Sequence, residues 1–257
     1  MVHLKPLFQP HSDWTLEKVE EWACNDALTL AKAGFEAIMI ENFGDSPFFP
    51  EKVPPHTIAA MTRMALRIRD TLAQHFDPPP MLGINVLRND PEAALSIAAA
   101  VGASFIRVNV HTGVMVTDQG ILQGKAHETV RLRDQLLPDC LILADLQVKH
   151  AAPLVQRPLH EEAEELWLRG RADALILSGS TTGRPVTLDD VHAVAEAVPG
   201  CPLLVGSGAT PEMLPTLSSK VHGAIVGSWL KEEGHLPNPV SSERSASFVQ
   251  SLRNLGY

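Results

Sequence analysis

The sequence predicts an α/β fold, a closed (β/α)8 barrel, and three observations carry that prediction. Eight short runs rich in Ile, Val and Leu recur along the 257 residues. A segment with helix signals follows each run, and the repeat is about 30 residues long, the length of a strand–loop–helix–loop unit. No glycine lies in Leu7 to Ser12, just past the first run, so the fingerprint of an open dinucleotide-binding sheet is missing.

The runs are Met1 to Leu7, Ala37 to Asn42, Met81 to Val86, Phe105 to Val110, Leu141 to Leu146, Ala174 to Gly179, Pro202 to Ser207 and Gly223 to Ser228. Between them the helix segments are Thr15 to Ala33, His56 to Gln74, Pro91 to Val101, Ala126 to Leu137, His160 to Arg169, Leu188 to Val198 and Pro211 to Ser219, with Glu243 to Leu255 closing the chain. Thr187 to Asp190 has the form of a capping box, and Asp90-Pro91 and Thr210-Pro211 set a cap before a proline. Gly34, Gly102 and Gly170 fall where helices end in a left-handed residue. Pro78, Pro79 and Pro80 connect a helix to a strand, because the alternation continues across them, so residues 1–257 read as one domain.

Lys and Arg number 21 against 30 Asp and Glu, a net charge of −9. A polyanion is repelled by that balance, which argues against nucleic acid or an anionic membrane surface as partner. Cys24, Cys140 and Cys201 form no CxxC pair, no signal-like start is visible, and no apolar run approaches the ~18 residues of a membrane helix. A cytoplasmic protein with reduced thiols is the expectation. Trp14, Trp22, Trp167 and Trp229 do not alternate with basic residues and read as core or interface aromatics. Leu66 to Arg69 and Arg131 to Arg133 read as charged helix faces with no anion site implied.

In a barrel, alternate strand residues face the helices, and that set must be apolar. Ile106, Val108 and Val110 satisfy this condition, which turns Arg107 and Asn109 inward. The same test turns in Glu41, Asn85, Asp145 and Ser178, and also His3 and Lys5. Most of these polar residues lie at or near the C-terminal ends of their strands, the face on which barrels build active sites.

The loops add a second signal. Gly206-Ser207-Gly208 and Gly227-Ser228 follow the last two strands, where barrels recurrently hold phosphate, and a helix opening at Pro211 would add its positive end. Gly179 to Gly183 is placed to line the same pocket or close over it. Lys149, four residues past Asp145, is a candidate phosphate clamp, general acid or Schiff-base amine. Glu41, Asp45 and Asp145 form a candidate hard-cation set for Mg²⁺, whereas no HxH or HExxH spacing supports zinc. The long loop His111 to Gly120 reads as a cover that offers Asp118 and Gln119 to a substrate.

Seven segments also carry a family resemblance. They are Glu41 to Asp45, Gly83 to Asp90, Phe105 to Val110, Thr117 to Gly120, Ala144 to Ala151, Ser178 to Gly183 and Gly206 to Gly208. In this order they closely resemble the BtpA/SgcQ family over almost the whole chain. The resemblance implies a (β/α)8 barrel of the BtpA type and leaves the reaction unassigned; the founding member is associated with photosystem I biogenesis or stabilisation. The first run departs from the family, since Met1 opens almost inside it and the following turn reads Phe8-Gln9-Pro10-His11.

Together these readings predict an enzyme acting on a small phosphorylated metabolite, a sugar phosphate or nucleotide-derived compound, by lyase, isomerase or aldolase chemistry. Glu41 and Asp145 are the expected acid/base carboxylates, and Arg107 and Lys149 the groups that stabilise negative charge. Asn85, Asn109, Ser178, Gly179 and Asp118 are expected to bind substrate, and Gly206, Ser207, Gly208, Gly227 and Ser228 its phosphate. The alternative is a non-catalytic assembly or stability factor that uses the barrel as a platform. A homo-oligomer through the outer helices suits either, though no apolar stripe marks an interface.

Overall fold

The computed structural model describes residues 1–9, 12–148, 150–178, 186–206, 208–217 and 220–256. Eight parallel strands form its main sheet: β1 (Val2–His3), β2 (Ala37–Glu41), β3 (Met81–Asn85), β4 (Phe105–Val108), β7 (Leu141–Asp145), β9 (Ala174–Leu177), β10 (Leu203–Val205) and β11 (Gly223–Ala224), paired in that order. Each predicted run contains one of them. The helices α1 (Leu16–Ala33), α2 (Pro55–His75), α3 (Pro91–Val101), α4 (Ala126–Leu136), α5 (Leu159–Glu164), α6 (Leu188–Ala197) and α7 (Leu214–Leu217) fall between strands, and α8 (Ser242–Arg253) follows the last.

The sheet curls until its edges approach, but no ladder joins β1 to β11. The edges meet instead at the Met1 amino nitrogen, 3.1 Å from the Val226 carbonyl, and at His3 beside Gly227. Ile38, Ile40, Ile84, Ile106, Val108, Ile142, Ala144, Leu175 and Leu203 face outward and pack with the helices in the large core. The inward set begins with an apolar plug of Met39, Phe105, Leu143, Ala174 and Ile176, with Met1, Leu204 and Ile225 against it. Gly83 is required here, because a Cβ on it would lie 1.9 Å from Phe105 Cε2.

Most of the start and stop chemistry behaves as the sequence indicates. Thr187 and Asp190 make the reciprocal capping box, Asp90 caps α3 before Pro91, and Gly34 and Gly102 end their helices at φ 102° and 71°. Three expectations are corrected. Residues 211–213 form a turn, so α7 begins at Leu214 and no helix opens at Pro211 to lend its positive end there. Gly170 has φ −72°, and the left-handed residue is Arg171 at φ 56°, because α5 runs on through a π-helical turn, Glu165–Arg169, that displaces its end. Arg133 is buried, donating to Asp173 at 2.9 Å, so only part of the Arg131 to Arg133 segment is a solvated face.

The loop after β4 is not an irregular cover. It forms a hairpin of β5 (Val114–Thr117) and β6 (Gly120–Gln123), and β8 (Ala151–Pro153) joins it as a three-stranded antiparallel sheet. Its inner side buries Leu122 and Ala151 against Val110 and Val148. Among the described residues no helix is long and apolar enough to cross a membrane.

Loop eight is anchored by a buried ion pair. Lys231 Nζ lies 2.5 Å from Asp26 Oδ2 on α1, and Asp26 Oδ1 accepts the Val240 N–H at 2.7 Å. Both side chains are almost inaccessible, so losing one leaves the other charged and unpaired in the core. Asp26→Ala is therefore expected to lower the unfolding free energy by about 3–5 kcal/mol in urea titrations. Asp26→Leu combined with Lys231→Met should recover most of the loss; equal losses in both proteins would show that packing alone matters there.

Candidate active site

Along each strand, the residue two positions past the apolar plug faces the same side and lies nearer the C-terminal mouth. The step leads from Met1 to His3, Met39 to Glu41, Gly83 to Asn85, Phe105 to Arg107, Leu143 to Asp145, Ile176 to Ser178, Leu204 to Gly206 and Ile225 to Gly227. Six of these eight residues are polar and the last two are glycine.

The polar ones form two linked groups. Arg107 Nε and Nη2 reach Asp145 at 3.0–3.3 Å, and Asn109 Nδ2 donates to Asp145 Oδ2 at 2.6 Å. Both oxygens of Asp145 are therefore occupied, in the forked geometry of an ionised carboxylate with a guanidinium. Glu41 differs. Asn85 Nδ2 donates to its Oε2 at 2.5 Å, while Oε1 takes no hydrogen bond among the described residues and is not sealed from solvent. Burial pushes the Glu41 carboxyl above its ordinary range, with Arg107 and Asn85 opposing. Burial likewise lifts Asp145 against the pull of Arg107 and Asn109.

His3 stands beside Glu41 in the β1–β2 register, edge-on to Phe43 at 5.2 Å between ring centres. Burial pushes its imidazole well below the usual value, so it is neutral, and its Nδ1 has no partner among the described residues. Asn109 Oδ1 and Ser178 Oγ are also buried without such partners. Buried polar atoms are normally satisfied, so three orphans on one rim mark a surface shaped for something polar. The glycines leave room for it: a Cβ on Gly206 would lie 3.0 Å from Ser178 Oγ, and one on Gly227 3.2 Å from His3 Cε1.

Other predicted residues are placed differently. Lys5 turns away from the mouth and lies over the rings of Trp22, at 4.0 Å, and Trp14, at 5.1 Å. Asp45 does not join a cation site, because its Oδ1 accepts the Leu7 N–H at 2.9 Å and so braces the end of β1. Among the described residues no group of three His, Cys, Asp or Glu side chains is arranged to hold a metal, which corrects the Glu41, Asp45 and Asp145 set. Asp118 is exposed at the hairpin turn, where Gln119 Nε2 donates to it at 2.5 Å, and its charge acts on the buried Arg88. Ser228 is exposed and Gly208, at φ 81°, has open space around its Cα. Lys149, Gly179 and Ser207 lie outside the described residues.

The structure also adds residues that strand parity does not reach, because they sit past the strand ends. Arg88 is buried in the loop after β3, and the charges of Asp118, Asp145 and Glu41 act on it. Asn42 accepts the Leu87 N–H at 2.8 Å and faces the Leu87 carbonyl at 3.4 Å, while Asn89 pairs with both backbone groups of Val110 at 2.9 Å. Each asparagine stitches one loop of the mouth to the next.

Two measurements follow. Ser178→Ala removes a buried hydroxyl that has no partner among the described residues, so stability should be unchanged or rise by up to about 1 kcal/mol; a clear loss in equilibrium unfolding would mean that the hydroxyl is bonded. For Glu41, a raised native pKa means that the native state holds a proton the unfolded chain has lost, so stability falls as pH rises between the two values. Glu41→Gln removes that dependence: it should match the parent near about pH 4 and exceed it by about pH 8. Parallel curves would show Glu41 titrating normally.

The chain resembles native KDPGal (TM-score 0.58, 18% identity, 96% of this chain and 98% of that one). It is also similar to phosphoribosyl anthranilate isomerase from Thermus thermophilus (0.57, 14%, 90% and 94%) and to KGPDC from Streptococcus mutans (0.54, 14%, 91% and 94%). At those identities the likeness concerns the fold alone. Closer in sequence are an uncharacterized protein of Thermococcus kodakarensis, 44% identical over 99% of this chain and 94% of that one, and the photosystem I biogenesis protein BtpA of Synechocystis, 41% identical over 98% and 86%. The BtpA family model matches residues 1–254, and the chain belongs to the BtpA family.

Proposed function

We propose that this chain, as a single (β/α)8-barrel domain, is an enzyme acting on a small phosphorylated metabolite, a sugar phosphate or nucleotide-derived compound, by lyase, isomerase or aldolase chemistry. The observation that carries the reading is the layer above the plug: one buried carboxylate with an unengaged oxygen, a buried guanidinium and three buried polar atoms without partners among the described residues. A scaffold has no need of buried charge, which is costly unless paired. The fold neighbours lend support by analogy, since one of them is an isomerase of a phosphoribosyl compound.

In this reading Glu41 moves the proton, because its Oε1 is unengaged among the described residues and burial raises its carboxyl, which favours the protonated form. Asp145 positions: it holds Arg107 and Asn109 and has no oxygen to spare. Arg107 keeps Nη1 without a partner among the described residues and uses it to stabilise negative charge developing on a carbonyl oxygen. Asn109 Oδ1 and Ser178 Oγ orient hydroxyls. The phosphate sits over Gly206, Gly208, Gly227 and Ser228; Ser207 and Lys149, expected to bind it too, lie outside the described residues.

A second reading, an assembly factor, draws on the name of the Synechocystis relative and on one surface feature. Val116, Ile121 and Leu154 are 42%, 64% and 59% exposed, an apolar outer side on the small sheet and the residue that follows β8.

Thermal-shift curves with inorganic phosphate, ribose 5-phosphate, ribulose 5-phosphate and a nucleoside monophosphate separate the two. An ester present at ~100 times its Kd stabilises the native state by about 2.7 kcal/mol and raises Tm. The enzyme reading expects such a shift, weakened in Ser178→Ala and abolished in Ser228→Asp, which sets a negative charge in the phosphate loop. No shift with any ester moves the weight to the assembly factor. Asp145→Asn is a poor probe here, because it also strips the buried Arg107 of its counter-charge.

A further inference from the structure

Away from the mouth, a groove of about 570 Å³ runs between the start of α4 and the end of α5. That volume is ordinary for a small-molecule site. One wall carries His127 and Arg131, one turn apart on α4, and the other carries Arg169 and Arg171. Two carboxylates also line it, and each already has a cation: Asp134 lies 3.0 Å from Arg133, and Glu165 is bound by Arg157.

The arginines are less engaged. The Arg169 side chain makes no ion pair or hydrogen bond among the described residues. Arg131 spends Nη1 on the His127 carbonyl at 2.6 Å, and Arg171 approaches Asp134 only to 3.9 Å. Three guanidiniums gathered with so little compensation stand out in a chain of net charge −9. The glycines below them are tightly packed: a Cβ on Gly124 would lie 2.5 Å from Thr112 Cα, and one on Gly170 2.5 Å from the Leu166 carbonyl. His111 also lines the groove, 1% exposed, with Nε2 2.8 Å from the Gly170 carbonyl and a buried Nδ1 that has no partner among the described residues. The backbone beside it is unusual as well, with a π-helical turn followed by a left-handed arginine, features that persist where they serve a site.

We infer that this groove is a second binding site, for a small metabolite carrying a phosphoryl or pyrophosphoryl group held by Arg131, Arg169 and Arg171. Guanidinium forks match phosphate oxygens two at a time, and three of them on facing walls suit a tetrahedral polyanion better than a single carboxylate. The groove is separate from the mouth and independent of the chemistry proposed there. It touches the same strand end, since His111 lies two residues beyond Asn109.

Nuclear magnetic resonance titration of the full chain with pyrophosphate tests the assignment. Saturable shifts are expected at the Gly113, Gly124 and Gly170 amides, persisting in Ser228→Asp. The double variant Arg131→Ala/Arg169→Ala should weaken that binding by about tenfold or more, the effect of losing charge-assisted hydrogen bonds worth about 1.4 kcal/mol. Because both side chains are exposed, the variant should keep the parent Tm. Shifts confined to Gly206, Gly208 and Gly227, binding unchanged by the double variant, or no saturable shift at all would each overturn the inference, and the first of these would leave the phosphate site at the mouth intact.

Discussion

A guanidinium inside a barrel must find a counter-charge, and the Arg107–Asp145 pair meets that constraint on which the rest of the mouth depends. Asp145 gives both oxygens to Arg107 and Asn109, so it holds two neighbouring side chains in fixed directions. Arg107 is then available as a fixed positive group, its side chain 14% exposed. Glu41 is left as the carboxylate without a cation of its own in contact, and burial raises it. Burial raises both carboxyls, and on the proposed reading the ion pair makes Asp145 the positioning group and leaves Glu41 to transfer the proton.

The fold was legible because a barrel imposes a rule that local sequence obeys. Helix-facing strand residues must be apolar, and Ile38 and Ile40, Ile106 and Val108, and Ile142 and Ala144 keep to it, which fixes the direction of the polar residues between them. Met39 to Glu41 and Leu143 to Asp145 are the same step from plug to mouth, read directly from alternation. Where alternation stops, so does the reading. Lys5 follows a strand that ends at His3, and once the ladder is over its side chain is free to turn to Trp14 and Trp22.

Loop contacts obey no such rule, which is why alternation does not reach Arg88, Asn42 and Asn89. An asparagine that mimics a backbone partner looks like any polar loop residue until its neighbour is known. The same holds for the hairpin after β4: Val114 to Thr117 alternates weakly, and its third strand comes from a segment more than thirty residues later. Gly170 failed for a related reason. A glycine after a helix signals a left-handed end only if the helix keeps its pitch, and the π-helical turn at Glu165–Arg169 shifts that role to Arg171.

The rim is divided in a way that bears on what can bind there. From β1 through β9 each strand of the main sheet presents a polar side chain at the level of Glu41, whereas β10 and β11 lead into Gly206 and Gly227. Glycine presents backbone N–H groups and room, which suits a phosphate; side-chain carboxylates and a guanidinium suit a carbonyl, a hydroxyl and a mobile proton. A substrate matched to both halves is elongated and carries its anion at one end and its reacting carbon at the other. On the proposed reading the anion anchors over the glycine half and sets the distance at which the reacting end meets Glu41, so that binding energy from a group that does not react positions the one that does. A platform for another protein has no use for that division, because its partner would be met outside the barrel and not down its axis.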